Sequence, residues 1–327
     1  MPYRFTDLLP EDFSDSALRA DVRKGLTARP KQLPPKWFYD KTGSELFEEI
    51  TRLPEYYQTR SERAILQAGA ARIVASAGAR HLVELGSGSS EKTRLLLDHL
   101  RAPGSVYTAL DVSGSALRQA AEALGVTYPD LRIEAVRADF EQHLPTVLGD
   151  GLTGRGRGGR LVVFLGGTIG NLQPAERAAF LAGVRAGLDP GDAFLLGADL
   201  VKSPDVLIPA YDDAAGVTAA FNLNLLQVLN SRLGADFDPD DFTHRAVWDE
   251  SQAWIEMRLR AGRRVEVRLA ELDLVAEFEA GEELRTEISA KFTAGRLESE
   301  LTAAGFAADG WWTDPDGQFS LSMWRPA

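Results

Sequence analysis

From His81 onward the chain alternates short apolar runs with longer segments of helical period. The runs are "HLVELGSG", "SVYTALDVS", "LRIEAVRADF", "RLVVFLGGT" and "DAFLLGADL". They recur at intervals of roughly 25 to 30 residues, a βαβ rhythm that predicts a parallel sheet with helices on both faces. Between them, "SSEKTRLLLDHL" and "QPAERAAFLAGVRAGL" carry apolar residues at i, i+3, i+4 spacing and end in Arg-Ala-Pro-Gly and Asp-Pro-Gly, which stop helices. At the C-terminus "GFAADGWW" and "GQFSLSMWR" flank the turn-rich "TDPDG", which predicts a hairpin.

Two segments, residues 1–60 and 202–291, do not fit this rhythm. The second contains a long amphipathic helix, "DDAAGVTAAFNLNLLQVLNSRL", then alternating runs such as "AWIEMRLRAGRRVEVRLAEL", which read as antiparallel strands. The expectation is a Rossmann-like α/β domain over residues 61–201 and 292–327, with a smaller α+β domain assembled from 1–60 and 202–291. A parallel core closed by a C-terminal hairpin is more typical of methyltransferases than of dehydrogenases. "GDGLTGRGRGGR", residues 149–160, reads as a flexible surface loop rather than an RNA-binding segment. "DFDPDDF", residues 236–242, lacks the sixth-position Gly and twelfth-position Glu of a calcium loop and reads as a solvated loop.

Composition narrows the partners. At 327 residues the chain can bury a large core, and 44% hydrophobic with 26% charged residues describes a globular protein. A net charge of −12 disfavours nucleic acid and anionic membrane, both of which need a positive face, so a small partner is expected. With no cysteine, disulfides, thiolate metal sites and cysteine nucleophiles are excluded together. No metal is expected. "MPYRFTDLLPEDF" has no apolar core of a leader, and no stretch is apolar enough to span a bilayer, so the expected location is the cytoplasm.

The first motif with chemistry is "VELGSGSSEKT", where a strand runs into Gly86 and Gly88 before a helix beginning near Ser90. Glycines there let backbone approach a ligand. Serine replaces the third glycine of the dinucleotide fingerprint, which lowers a nicotinamide reading. Asp111 ends the next strand, where a carboxylate can accept both ribose hydroxyls. Asp139 and Phe140 end the third, suited to an adenine amine and an aromatic wall. Any one acid could merely cap a helix, but together the three strand ends favour an adenosine ligand. Glu84 and Lys92 offer a carboxylate and an ammonium for the amino-acid end of S-adenosylmethionine (SAM), although Lys92 could equally be an ordinary exposed lysine.

The fourth strand leads through "FLGGTIGN" to Asn171, whose amide can both donate to a carboxylate and accept from an amine. Tyr211 stands ahead of a helix in "PAYDDAAG". Glu287 and Ser289 in "LRTEISAKF" share a strand face. "TRLPEYYQTR" sets Tyr56 and Tyr57 behind a Leu-Pro pair, where neither helix nor strand easily buries both. Half-buried structural tyrosines are the bland reading.

The stretches "LPPKWFYDKTGSELFEEITRLPEYYQTR", "LVELGSGSSEKT", "FLGGTIGN", "AYDDAAGVTAAFN", "RTEISAKF" and "WWTDPDGQFSLS" resemble the L-histidine Nα-methyltransferases of ergothioneine biosynthesis over almost the whole chain. The resemblance implies a class I SAM-dependent methyltransferase fold with a substrate domain, and trimethylation of the histidine α-amino group to hercynine, acting also on the mono- and dimethyl forms. A monomer is expected. The resemblance also implies substrate contacts at Tyr56, Gly166, Asn171, Tyr211, Glu287 and Ser289, with Tyr39 and Met257 nearby. Asn171 and Tyr211 would hold the carboxylate and Glu287 and Ser289 the imidazole. Tyr56, with Tyr39, would serve the amine, and Tyr57 would be its packing support. Implied cofactor contacts are Gly86, Lys92, Asp111, Asp139 and Phe140. The chain departs from the pattern at Gly167, where serine is expected, and at Ala290, where cysteine is expected. The alternatives are an N-methyltransferase for another amino acid, a nicotinamide enzyme, and a SAM-binding module without catalysis.

Overall fold

The computed structural model describes residues 3–149, 152–153 and 159–327; most of the Gly-Arg loop at 149–160 lies outside the described residues. The chain divides into two compact units, one of residues 1–9, 60–200 and 292–327, the other of residues 10–59 and 201–291.

The first unit is built on an eight-stranded sheet in the order Tyr3–Asp7, Arg132–Arg137, Val106–Asp111, His81–Leu85, Arg160–Phe164, Ala193–Asp199, Phe319–Pro326, Phe306–Thr313. The first six strands are parallel, and the last two form an antiparallel hairpin joined to Ala193–Asp199. Arg160–Phe164 and Ala193–Asp199 are buried at every position. A parallel strand covered on both faces has no solvated side, so it reads as an unbroken apolar run rather than an alternation. The Pro174–Ala186 helix is started by Pro174 at its first turn and by reciprocal capping between Gln173 and Glu176.

Two expectations need correction here. Residues 1–60 do not belong wholly to the second unit, because Tyr3–Asp7 pairs in parallel with Arg132–Arg137 as the edge strand of the large sheet. Five residues carry too little apolar periodicity to reveal that pairing. The segment after the glycine turn is also less helical than its spacing predicts. Ser90 is left-handed (φ 54°) and only Arg94–Leu97 is α-helical. The hydroxyls of Ser90 and Thr93 bond to Tyr107 and Glu84 on neighbouring strands, and these contacts hold the chain out of a regular helix.

The second unit has a four-stranded sheet in the order Lys31–Gln32, Glu283–Ala290, Trp254–Ala261, Phe242–Asp249, and a separate pair, Val265–Leu269 with Leu274–Phe278. The alternating run at 253–272 thus forms strands, but in different sheets. Both edges of Trp254–Ala261 are already taken by Phe242–Asp249 and Glu283–Ala290, leaving Val265–Leu269 to pair onward. The Val217–Leu233 helix lies between left-handed Gly216 and Gly234 and supplies Phe221, Leu225, Leu226 and Leu229 to this unit's core. In the acidic loop, Asp241 pairs with Arg263 at 2.6 Å and Asp236 accepts from the Arg268 amide at 2.7 Å, so these acids are engaged by the fold itself.

Candidate active site

In the first unit the glycine turn is drawn against the end of the neighbouring Val106–Asp111 strand. The amides of Gly86 and Ser87 donate to the Leu110 carbonyl at 2.8 and 3.0 Å, and Gly88 N donates to Asp111 Oδ2 at 2.9 Å. Asp111 Oδ1 accepts from Ser113 N at 2.9 Å. Each carboxylate oxygen keeps a further acceptor site for a ligand hydroxyl. Burial pushes the Asp111 pKa above the usual carboxylate range, while the backbone donors at Ser113 and Gly88 oppose the shift. Gly86 (φ 71°) and Gly88 (φ 49°) are both left-handed, and a Cβ on Gly86 would lie 4.0 Å from the Phe140 ring. Phe140 packs edge-on to Phe164 at 5.3 Å. Asp139 is buried beside it, with Gln142 Nε2 at 3.4 Å. Between the two glycines, Ser87 Oγ is buried with no hydrogen-bond partner. Buried hydroxyls are nearly always paired, so this one fits a turn built to receive a polar ligand.

The expected pairing of Glu84 with Lys92 is replaced by another. Glu84 is buried and accepts from the hydroxyls of Thr93 and Tyr107. Burial raises its pKa to about 7, with those two hydroxyls pulling it back down. Lys92 instead binds Glu62, a carboxylate with 0% exposure on the Gln58–Ala77 helix. The other Glu62 oxygen accepts from Gly166 N at 2.7 Å, and a Cβ on Gly166 would stand 3.5 Å from Lys92 Nζ. A Cβ on Gly197 would come within 2.4 Å of Glu62 Oε1, so a side chain there would displace the carboxylate. Glu62, Lys92 and Gly166 therefore form one cluster. Asn171 closes the short helix Thr168–Asn171. Gly167 ahead of it has φ 71°, a backbone conformation that favours glycine, and leaves only 3.3 Å between a Cβ and the Phe319 ring.

In the second unit, Tyr39 is 51% exposed and meets Phe47 and Phe221 edge-on at 5.5 and 5.7 Å. Tyr56 packs against the same core, 6.2 Å from Phe47. Tyr57 is buried, and its hydroxyl accepts from Lys202 Nζ at 2.7 Å. Adjacent tyrosines thus have different environments. Tyr211 is buried, and its hydroxyl lies 2.7 Å from Ser289 Oγ. Its carbonyl accepts from His244 Nε2 at 2.8 Å, while His244 Nδ1 faces Asn222 Nδ2 at 2.8 Å. Burial lowers the His244 pKa, in keeping with a neutral ring that accepts on one side and donates on the other. Glu287 stands opposite Met257 in the antiparallel register, and Ser289 opposite Ile255. Three residues absent from the sequence expectation join this group: Gln58, Lys202 and Lys291. Ala290 is buried opposite Trp254. Among the described residues no cluster of acids and histidines could hold a metal ion, and no helix is long and apolar enough to cross a membrane.

Comparison with known proteins identifies the family. The chain is 53% identical over 325 residues to histidine N-alpha-methyltransferase of Mycolicibacterium smegmatis, covering 99% of each protein. It is 52% identical over 318 residues to the protein of the same name from Mycobacterium tuberculosis, covering 96% of this chain and 97% of that one. Among solved structures, a S-adenosylmethionine-dependent methyltransferase from Clostridium acetobutylicum aligns with 87% of this chain and 99% of its own at 11% identity and a TM-score of 0.47. Residues 18–326 match the family described as histidine-specific methyltransferase, SAM-dependent, and the chain belongs to that family.

Proposed function

We infer that this chain transfers three methyl groups in succession from SAM to the α-amino group of L-histidine, giving hercynine for ergothioneine biosynthesis. The observation that carries the reading is the near-complete match to two histidine N-alpha-methyltransferases at 52% and 53% identity. SAM supplies an electrophilic methyl group. The chain's own residues must hold and orient both reactants, since in-line displacement depends on alignment and on excluding water.

In this reading Asp111 holds the ribose hydroxyls, Asp139 and Phe140 flank the adenine, and the Gly86 turn with Lys92 receives the amino-acid end. Asn171 and Tyr211 hold the substrate carboxylate, with Gly166 allowing close approach. Glu287 and Ser289 hold the imidazole beside Met257. Tyr56 and Tyr39 orient the amine. A model α-amino group has a pKa of about 8, so near neutral pH it must lose a proton before it can attack. Tyr39, 51% exposed, can pass a proton to water, while Tyr56 is more enclosed.

The test is mass spectrometry of an incubation with SAM and all twenty amino acids. Three methyl groups gained by histidine alone are expected. Methylation of a different amino acid, or SAM binding with no S-adenosylhomocysteine released, would overturn the reading.

A further inference from the structure

Glu62 has 0% exposure, and each of its carboxylate oxygens faces a donor. Oε2 accepts from Lys92 Nζ, and Oε1 accepts from Gly166 N at 2.7 Å. The three residues come from separate stretches of chain: Glu62 from the Gln58–Ala77 helix, Lys92 from the segment after the glycine turn, and Gly166 from the exit of the Arg160–Phe164 strand. One buried carboxylate ties them together. Gly197, on the Ala193–Asp199 strand, leaves the room that this carboxylate fills. Glu84, the other buried acid beside the turn, is bonded to Thr93 and Tyr107, so the ion pair of Lys92 is with Glu62.

A buried ion pair adds little stability over apolar packing of the same size, so its presence calls for another role. The Lys92 side chain keeps 25% exposure while that of Glu62 has none, so the ammonium is the accessible half of the pair. A lysine free to turn surrenders rotamer freedom when it meets an anion. Held by Glu62, Lys92 has already lost that freedom, and the bond uses one of its three donors. We propose that Glu62 is a positioning residue of the cofactor site, which fixes the Lys92 ammonium beside Gly166 so that it receives the carboxylate at the amino-acid end of SAM. This rests on the reading that Lys92 and the Gly86 turn receive that end. Glutamine cannot stand in for Glu62. An amide has one oxygen and one NH2, so Glu62→Gln sets a donor against either Lys92 Nζ or Gly166 N.

The test is calorimetry of the full chain with S-adenosylhomocysteine and with methylthioadenosine. Both carry adenosine and a thioether, but only the first has the amino-acid end. The wild type is expected to bind S-adenosylhomocysteine the more tightly, by about 10-fold or more. Glu62→Gln should weaken S-adenosylhomocysteine by about 10-fold, the scale of one charge-assisted bond, and leave methylthioadenosine within about twofold of wild type. Glu62→Asp keeps the charge but is one methylene too short to reach both donors. It should move the ratio in the same direction, and it decides the matter if Glu62→Gln does not fold. The proposal is overturned if a folded variant keeps the wild-type ratio, whether by losing nothing or by losing both ligands equally as a merely structural residue would. Failure of both variants to fold would also make Glu62 structural and overturn it. A wild type that binds the two ligands alike would instead sink the reading of Lys92, and the proposal with it.

Discussion

At the residue scale, chemistry is set by which partners each side chain already has. Asp111 receives two backbone amides at 2.9 Å and is so already oriented for the proposed ribose contact. On the proposed reading Asp111→Ala removes the ribose acceptor, and it frees the Gly88 amide, so SAM affinity should fall by at least 30-fold, from roughly 2 to 3 kcal/mol of charge-assisted bonding. Calorimetry giving an unchanged affinity would remove Asp111 from the site. The two adjacent tyrosines make the complementary case. Tyr57 is fixed by Lys202 in a buried setting, whereas Tyr56 contacts the core only partly. Tyr56→Phe should therefore slow methyl transfer with little effect on folding, and should slow the first rounds most. There the hydroxyl can accept from an amine hydrogen, which the neutral dimethyl form lacks. Single-turnover assays on histidine and its mono- and dimethyl forms, with Tyr57→Phe alongside, would read this directly. Equal, mild losses in both variants at every round would make both tyrosines structural.

At the scale of elements, the strand ends are joined by a buried polar network. Glu84 at the His81–Leu85 strand binds Tyr107 on the next strand and Thr93 after the turn, and Ser90 joins through Tyr107 at 2.8 Å. The network has a pH signature. The Glu84 pKa is raised from 4.5 to about 7 by burial, so between those values the folded chain holds a proton that the unfolded chain has released. Stability from this group is full below about pH 4.5 and declines as pH rises toward 7, because stability falls wherever the native state binds more protons. Glu84→Gln cannot titrate, and its unfolding free energy should lack that decline. Urea titrations of both proteins at several pH values give the difference, and parallel curves would mean that Glu84 does not carry the shift.

At the scale of the whole molecule, ligand binding and stability are linked. SAM at about 100 times its Kd should add about 2.7 kcal/mol to unfolding if it binds only the folded chain, and Tm should rise accordingly. NAD at the same concentration should leave Tm unchanged, since the turn has serine rather than a third glycine. A shift with NAD and none with SAM would reverse the cofactor assignment.

The sequence by itself determined the five internal parallel strands, the C-terminal hairpin and the long Val217–Leu233 helix, because period and breaker residues are local properties that survive in one dimension. The strand ends before Gly86 and at Asp111 were legible for the same reason, while Phe140 opens the helix after the next strand. Only the tertiary structure decided the rest. Nothing in the spacing of the chain distinguishes Glu62 on a helix from an exposed acid, or pairs it with Lys92 thirty residues later. Tyr3–Asp7 finds its partner strand some 130 residues away, and Lys291 reaches Tyr211 across 80. Such pairings depend on which buried polar groups the folded chain brings within bonding distance. The requirement that each be satisfied acts in three dimensions and leaves no period behind.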